Sequence, residues 1–143
     1  MKVVDVNVLL YAFDSASPRH REAKNWVEST FSGREPVGLT WQVLLAFLRL
    51  STRASLFAHP LTTDEALDVI DDWLSLPVTT LVQPGPRHAS VLRDLLAPTG
   101  AGGNLVPDAH LAALAIEHGA SLWSYDHDFA RFPGLRWSQP SDL

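Results

Sequence analysis

Four aspartates are placed where they can do chemistry. Asp5 closes a short β-branched run in Val-Val-Asp-Val-Asn, and Asp108 opens an apolar stretch in Val-Pro-Asp-Ala-His-Leu-Ala-Ala-Leu. Asp126 and Asp128 follow Leu-Trp-Ser-Tyr. Carboxylates crowded together repel one another, and each holds its proton more tightly unless a cation compensates. Mg²⁺ and Mn²⁺ prefer oxygen ligands and keep some of their waters. Such an ion can activate a water and offset charge on a phosphate, which is most of what phosphodiester hydrolysis needs. Each acid also has a purely structural reading. Asp5 with Asn7 can form an Asx turn leaving a strand, and Asp108 can cap a helix. Asp126 can cap the turn behind it, and Asp128 can be a solvated first-turn acid. The catalytic reading requires that all four share one place.

The elements that must bring them together alternate. Strands are expected at residues 2–6, 36–39, 78–82 and 121–124, with an edge strand at 135–137. A helix is expected over 18–31, with Ser17 as N-cap and Pro18 in the first turn. Thr40 caps a helix through Leu50. Thr62 or Thr63 caps another through Leu76, and Glu65 is placed to complete a capping box. Further helical stretches are 86–96 and 108–118, the latter stopped by Gly119, with a short helical turn over 126–132. Residues 97–104, Ala-Pro-Thr-Gly-Ala-Gly-Gly-Asn, read as a flexible loop. Alternating strands and helices predict one α/β domain over residues 1–143, its parallel sheet covered on both faces. Ligands of such sheets bind beyond the carboxyl ends of the strands, where the strand order reverses. If the first and fourth strands are neighbours, the four acids converge there.

The bulk composition narrows the chemistry. The 143 residues are 46% hydrophobic and 19% charged, a globular balance. With no cysteine, disulfides and thiolate-held zinc or iron–sulfur centres are excluded. A net charge of −5 counts against passive coating of nucleic acid but not against an acid-based nuclease. No signal peptide or membrane-spanning run is visible, and a cytoplasmic location is expected. No phosphate-binding Gly-rich loop and no Ser–His–Asp pattern appear.

The ordered motifs Asp-Val-Asn-Val-Leu-Leu-Tyr-Ala, Asp-Ala-His-Leu-Ala-Ala-Leu-Ala and Ser-Tyr-Asp-His-Asp-Phe resemble those of PIN-domain nucleases, and within them the VapC toxins of toxin–antitoxin pairs. The likeness runs from Met1 to about Trp137. It implies a three-layer α/β/α PIN-like fold with a central, mostly parallel sheet of four to five strands. It implies an endoribonuclease dependent on Mg²⁺ or Mn²⁺, a homodimer, and a VapB-like antitoxin that covers the active site. By the resemblance Asp5, Asp108 and Asp126 match the metal ligands and Asp128 their companion. Asn7 matches the residue that orients the first aspartate, and Ser124 the hydroxyl ahead of the last acids. Arg19, Arg49 and Arg53 are the cations to test against the RNA backbone.

One position departs from the pattern. The family places a glutamate at the start of the helix after the second strand, and here Gln42 stands there. Glu35 lies before that strand, at the wrong end of the sheet to replace it. Restoring the acid with Gln42→Glu is therefore expected to tighten Mg²⁺ binding. Gln42 also keeps open a catalytically weak protein that binds RNA or antitoxin. A Mg²⁺-dependent phosphatase is the other alternative, but Lys2 and Lys24 are the only lysines and neither follows a later strand. His110 and His127 flank the acids as candidate proton shuttles, with His110 on a different helix face from Asp108.

Overall fold

The computed structural model describes every residue except Ala101 and Leu143. Five strands form one sheet: β1 (Lys2–Val4), β2 (Val37–Leu39), β3 (Thr79–Leu81), β4 (Ser121–Trp123) and β5 (Trp137–Ser138). Their order is β3-β2-β1-β4-β5, and every pairing is parallel. The chain therefore steps one way from β1 through β2 to β3, then returns to the other side of β1 with β4. That reversal lies between β1 and β4, where Lys2 pairs with Ser121 and Val4 with Trp123. Asp5 leaves β1, and Ser124 leaves β4, at this point.

Val37, Gly38 and Leu39 are all buried, so both faces of the middle strands are covered. Six helices provide the cover: α1 (Val6–Phe13), α2 (His20–Phe31), α3 (Trp41–Ser51), α4 (Thr63–Ser75), α5 (His88–Leu96) and α6 (Val106–Glu117). The first four pack on one another, and α5 packs against α6. Leu9, Leu44, Phe47, Leu114 and Leu122 are among the side chains fully withdrawn from water between these layers. Gly38 lets this happen: a Cβ there would stand 2.8 Å from Val82 Cγ2 and 3.0 Å from Val3 Cγ2. Gly38→Ala is expected to cost about 1–3 kcal/mol by overpacking. An unchanged thermal melt would contradict that.

Several boundaries follow the local rules. Thr40 Oγ1 accepts from Val43 N–H at 3.1 Å. Thr62 and Glu65 form a reciprocal capping box. Gly119, at φ +61°, ends α6. There Ala120 N–H reaches back to the Ala115 carbonyl at 2.8 Å, and Gly119 N–H to Ile116 at 3.1 Å.

Three expectations are corrected. β1 ends at Val4, and residues 6–13 form a helix that strand-like Val-Asn-Val conceals. Helix α2 begins at His20, because Ser17 Oγ accepts from Arg19 N–H at 3.1 Å in a turn ahead of the helix instead of capping it. Helix α6 begins at Val106, two residues before Asp108. In the loop expected at 97–104, Ala97–Thr99 and Gly103–Leu105 are 3-10 turns, and Ala101 lies outside the described residues.

Candidate active site

Asp5 is the N-cap of α1, and both its oxygens are engaged. Oδ1 accepts from Val6 N–H at 2.7 Å, and Oδ2 accepts from the Ser124 hydroxyl at 2.7 Å. Ser124 is fully buried. Its oxygen also accepts from Asn7 Nδ2 at 3.1 Å and from Asp126 N–H at 3.0 Å. Asn7 Oδ1 in turn accepts from Tyr125 N–H at 3.1 Å. The turn after β1 and the turn after β4 are thus knit into one unit. Asn7 bears on Asp5 through Ser124.

Asp108 arrives from the other side of the sheet's carboxyl edge. It occupies the third position of α6, behind Pro107, and its carboxylate caps nothing. It has no hydrogen-bond or ion-pair partner among the described residues. With Asp5, Gln42, Leu45, Arg49 and Pro107 it lines a cleft of about 480 Å³. The amino ends of α1, α3 and α6 meet around this cleft, an arrangement that favours negative charge.

The acids act on one another electrostatically. Asp108 is pushed up to about 6, first by burial, then by Asp126, Asp5 and Asp128, with Arg131 opposing. Asp5 is raised by burial, against the bonds from Ser124 and Val6, and Asp126 adds to the rise. Such shifts mark carboxylates without enough compensating positive charge. Among the described residues, however, no three acidic or imidazole side chains stand close enough to grip one ion as they are.

The remaining expected residues divide. Asp126 caps the turn His127–Arg131, its Oδ1 accepting from Asp128 N–H at 2.9 Å, and still acts on both Asp5 and Asp108. Asp128 is more than half exposed and pairs with Arg131 at 3.2 Å, so it belongs to the rim. Arg49 lines the cleft. Arg53 is exposed beyond the end of α3 and lines no part of the cleft. Arg19 is exposed and stacks over the Tyr125 ring at 4.5 Å. Glu35 lies near the amino group of Met1, at the opposite edge of the sheet. His127 packs edge-on against Trp137 at 5.3 Å. His110 Nδ1 meets His88 Nε2 at 2.8 Å, and His88 Nδ1 meets Glu117, so His110 is turned to α5 and away from the acids.

Two contributors carry no sequence signal. Tyr125, whose hydroxyl donates to Glu22 Oε1 at 2.8 Å, ties the acidic turn to α2. The Pro107 carbonyl accepts from Gln42 Nε2 at 3.1 Å. Backbone acceptors are present at every residue, so only the fold singles this one out.

The PIN domain family model matches residues 2–135. The chain is similar to Ribonuclease VapC37 of Mycobacterium tuberculosis, 50% identical over 143 residues that cover 100% of this chain and 99% of that one. It is also similar to Ribonuclease VapC33 of the same species, 41% identical over 140 residues, or 98% of each chain. Its fold is similar to VapBC2 from Rickettsia felis bound to a promoter DNA fragment, with TM-score 0.69, 18% identity, and 96% and 97% of the two chains covered. A second likeness is to VapC20 of M. tuberculosis, described as a sarcin–ricin loop cleaving toxin. There the TM-score is 0.65 and identity 20%, with 95% and 99% of the two chains covered.

Proposed function

Because the chain belongs to the PIN-domain family, we propose that it is the toxin of a type II toxin–antitoxin pair, an endoribonuclease that hydrolyses RNA with Mg²⁺ or Mn²⁺. The observation that carries this reading is the meeting of Asp5 and Asp108 on one cleft, both carboxyls raised, first by burial and then by neighbouring acids. The donors around that cleft are carboxylate and carboxamide oxygens, which suit a hard divalent cation. The buried Gln42 Oε1 is left without a hydrogen-bond partner there.

Asp5, Asp108 and Asp126 would hold the ion. When bound, it supplies acidity to a water and offsets charge on the phosphate. The chain does the rest. Ser124 aims Asp5 and opposes the rise that burial imposes on its carboxyl, since a hydrogen bond to the charged form favours that form. Asn7 and the Asp126 N–H fix Ser124 in turn. Arg49, on the cleft wall, is the cation placed to meet the RNA backbone. No histidine faces the acids closely enough to be needed as a base.

Among the described residues, two apolar surfaces bear on the partners. Trp41 and Leu45, one helical turn apart on α3, are 45% and 57% exposed. We assign them to a second copy of the chain. A groove of about 510 Å³ between α1, α2 and α4, lined by Phe13, Val27, Phe31 and Trp73, is open to a VapB-like antitoxin segment. Light scattering of the chain, alone and with such a segment, tests both assignments. A monomer mass alone, or no complex, removes the corresponding one. Among the described residues no helix is long and apolar enough to cross a membrane.

The deciding experiment incubates antitoxin-free protein with structured RNA, with Mn²⁺ or with EDTA. Fragments that appear only with the metal are expected. Fragments unaffected by EDTA would overturn the metal dependence, and binding without fragments would favour a weak or inactive member, the alternative that Gln42 raises.

A further inference from the structure

Gln42 and Pro107 meet across the mouth of the cleft, one from the first turn of α3 and the other from the first turn of α6. The bond orients the amide. A carbonyl oxygen can only accept, so the nitrogen of Gln42 must be the atom facing Pro107, at 3.1 Å. Oε1 is then left buried and unpartnered. A glutamate here would have no hydrogen to give the Pro107 carbonyl and would set oxygen against oxygen. Gln42 is therefore more than the family's acid with its charge removed.

The beginning of α6 needs such a tie. Its N-cap is Leu105, which provides no side-chain bond. The chain ahead of it reads Gly102, Gly103, Asn104, with Gly103 at φ +55°. Val106 is 43% exposed, and helix ends held so lightly fray. Asp108 sits in this same turn.

We infer that Gln42 is a positioning residue for Asp108: its amide straps the first turn of α6 to α3 and so fixes where the Asp108 carboxylate faces. The inference deepens the proposed reading and rests on it in one respect, that Asp108 binds the cation. The same bond leaves Gln42 Oε1 buried and without a partner in the wall of the cleft that Gln42 lines.

Two variants test the strap. Gln42→Met keeps the length and removes both polar atoms, and Gln42→Glu keeps oxygen and adds charge but has no donor. Hydrogen exchange is measured on metal-free protein for the amides of residues 110–112, which close the first turns of α6. Both variants should exchange about fivefold faster there, the worth of one neutral hydrogen bond, with global unfolding little changed. Calorimetry with Mg²⁺ alone should show Gln42→Met binding about fivefold more weakly. Gln42→Glu separates the two effects: its exchange is as fast as that of Gln42→Met, while its charge tightens the ion. Wild-type exchange in both variants overturns the strap. Fast exchange with unchanged Mg²⁺ affinity in Gln42→Met overturns the positioning of Asp108. If the wild-type protein binds no Mg²⁺, the proposed function fails, and the exchange data still decide the strap.

Discussion

Replacing Asp108 by Asn is expected to slow RNA cleavage by at least about a hundredfold, the scale on which losing one preorganised electrostatic contact acts. The variant should also be more stable than the wild type when no metal is present. Burial and three neighbouring acids hold the Asp108 carboxyl at about 6 against an ordinary 3.8. A raised folded-state value means that the native chain binds the proton more tightly than the unfolded chain does. Stability contributed by this group is therefore lost as pH climbs from 3.8 toward 6, and the penalty is fully present at neutral pH. Asn cannot ionise and escapes it. Because the side chain is partly exposed, solvent screening reduces the effect to about 1 kcal/mol, or about 3 °C in the melting temperature. Mg²⁺ should raise the melting temperature of the wild type and leave Asp108→Asn nearly unmoved. It should bind the wild type less well as pH drops below about 6, since the acid must lose its proton to ligate. If Asp108→Asn melts below the wild type in EDTA, or cuts RNA at the wild-type rate, Asp108 has been misassigned.

Ser124→Ala should be nearly as damaging by a different route. The hydroxyl is one donor to Asp5 and the acceptor for both Asn7 and the Asp126 N–H. Its loss leaves three polar groups unmatched beside a side chain that water does not reach. A cost of about 2–3 kcal/mol follows from the price of buried unpaired groups. Asp5 would also lose the bond that opposes its burial, so its carboxyl should rise further. Metal affinity or cleavage should fall about 10–100-fold, as when a group that orients a metal ligand is removed. Thermal melting and initial rates check both halves. A variant as stable and as active as the wild type would show that the network around Ser124 is incidental.

What could be read along the chain was whatever one segment decides by itself. The Thr62–Glu65 capping box, Thr40 ahead of α3 and Gly119 after α6 all depend on neighbours within a few residues, and all stand where expected. Helix α1 was not legible. Val6 and Val8 favour a strand locally, and the Asp5 cap together with packing of Val8, Leu9 and Ala12 into the core turns the segment into a helix. Asp108 was placed at the opening of α6, which in fact begins two residues earlier at Val106, because an aspartate behind a proline satisfies the rule for a cap. Its true place leaves the carboxylate without structural work, which favours the functional reading. The links that span the fold were out of reach. Gln42 is 65 residues from Pro107, and His88 is 29 residues from Glu117. Nothing in either local sequence names its partner.

The central place of β1, with β4 added late beside it, has a consequence for how the protein is born. Asp5 leaves the ribosome well before the hydroxyl that secures it, which is 119 positions downstream. A growing chain can pair β1 with β2 and β2 with β3 while one flank of β1 stays open and the acidic turn around Asp126 does not yet exist. The machinery that makes this protein is itself built of RNA, and it is spared a working nuclease until synthesis has passed Ser124. Chains halted before Ser121 should therefore leave RNA intact even with Mn²⁺, and cutting by such a fragment would show that the harmless interval does not exist.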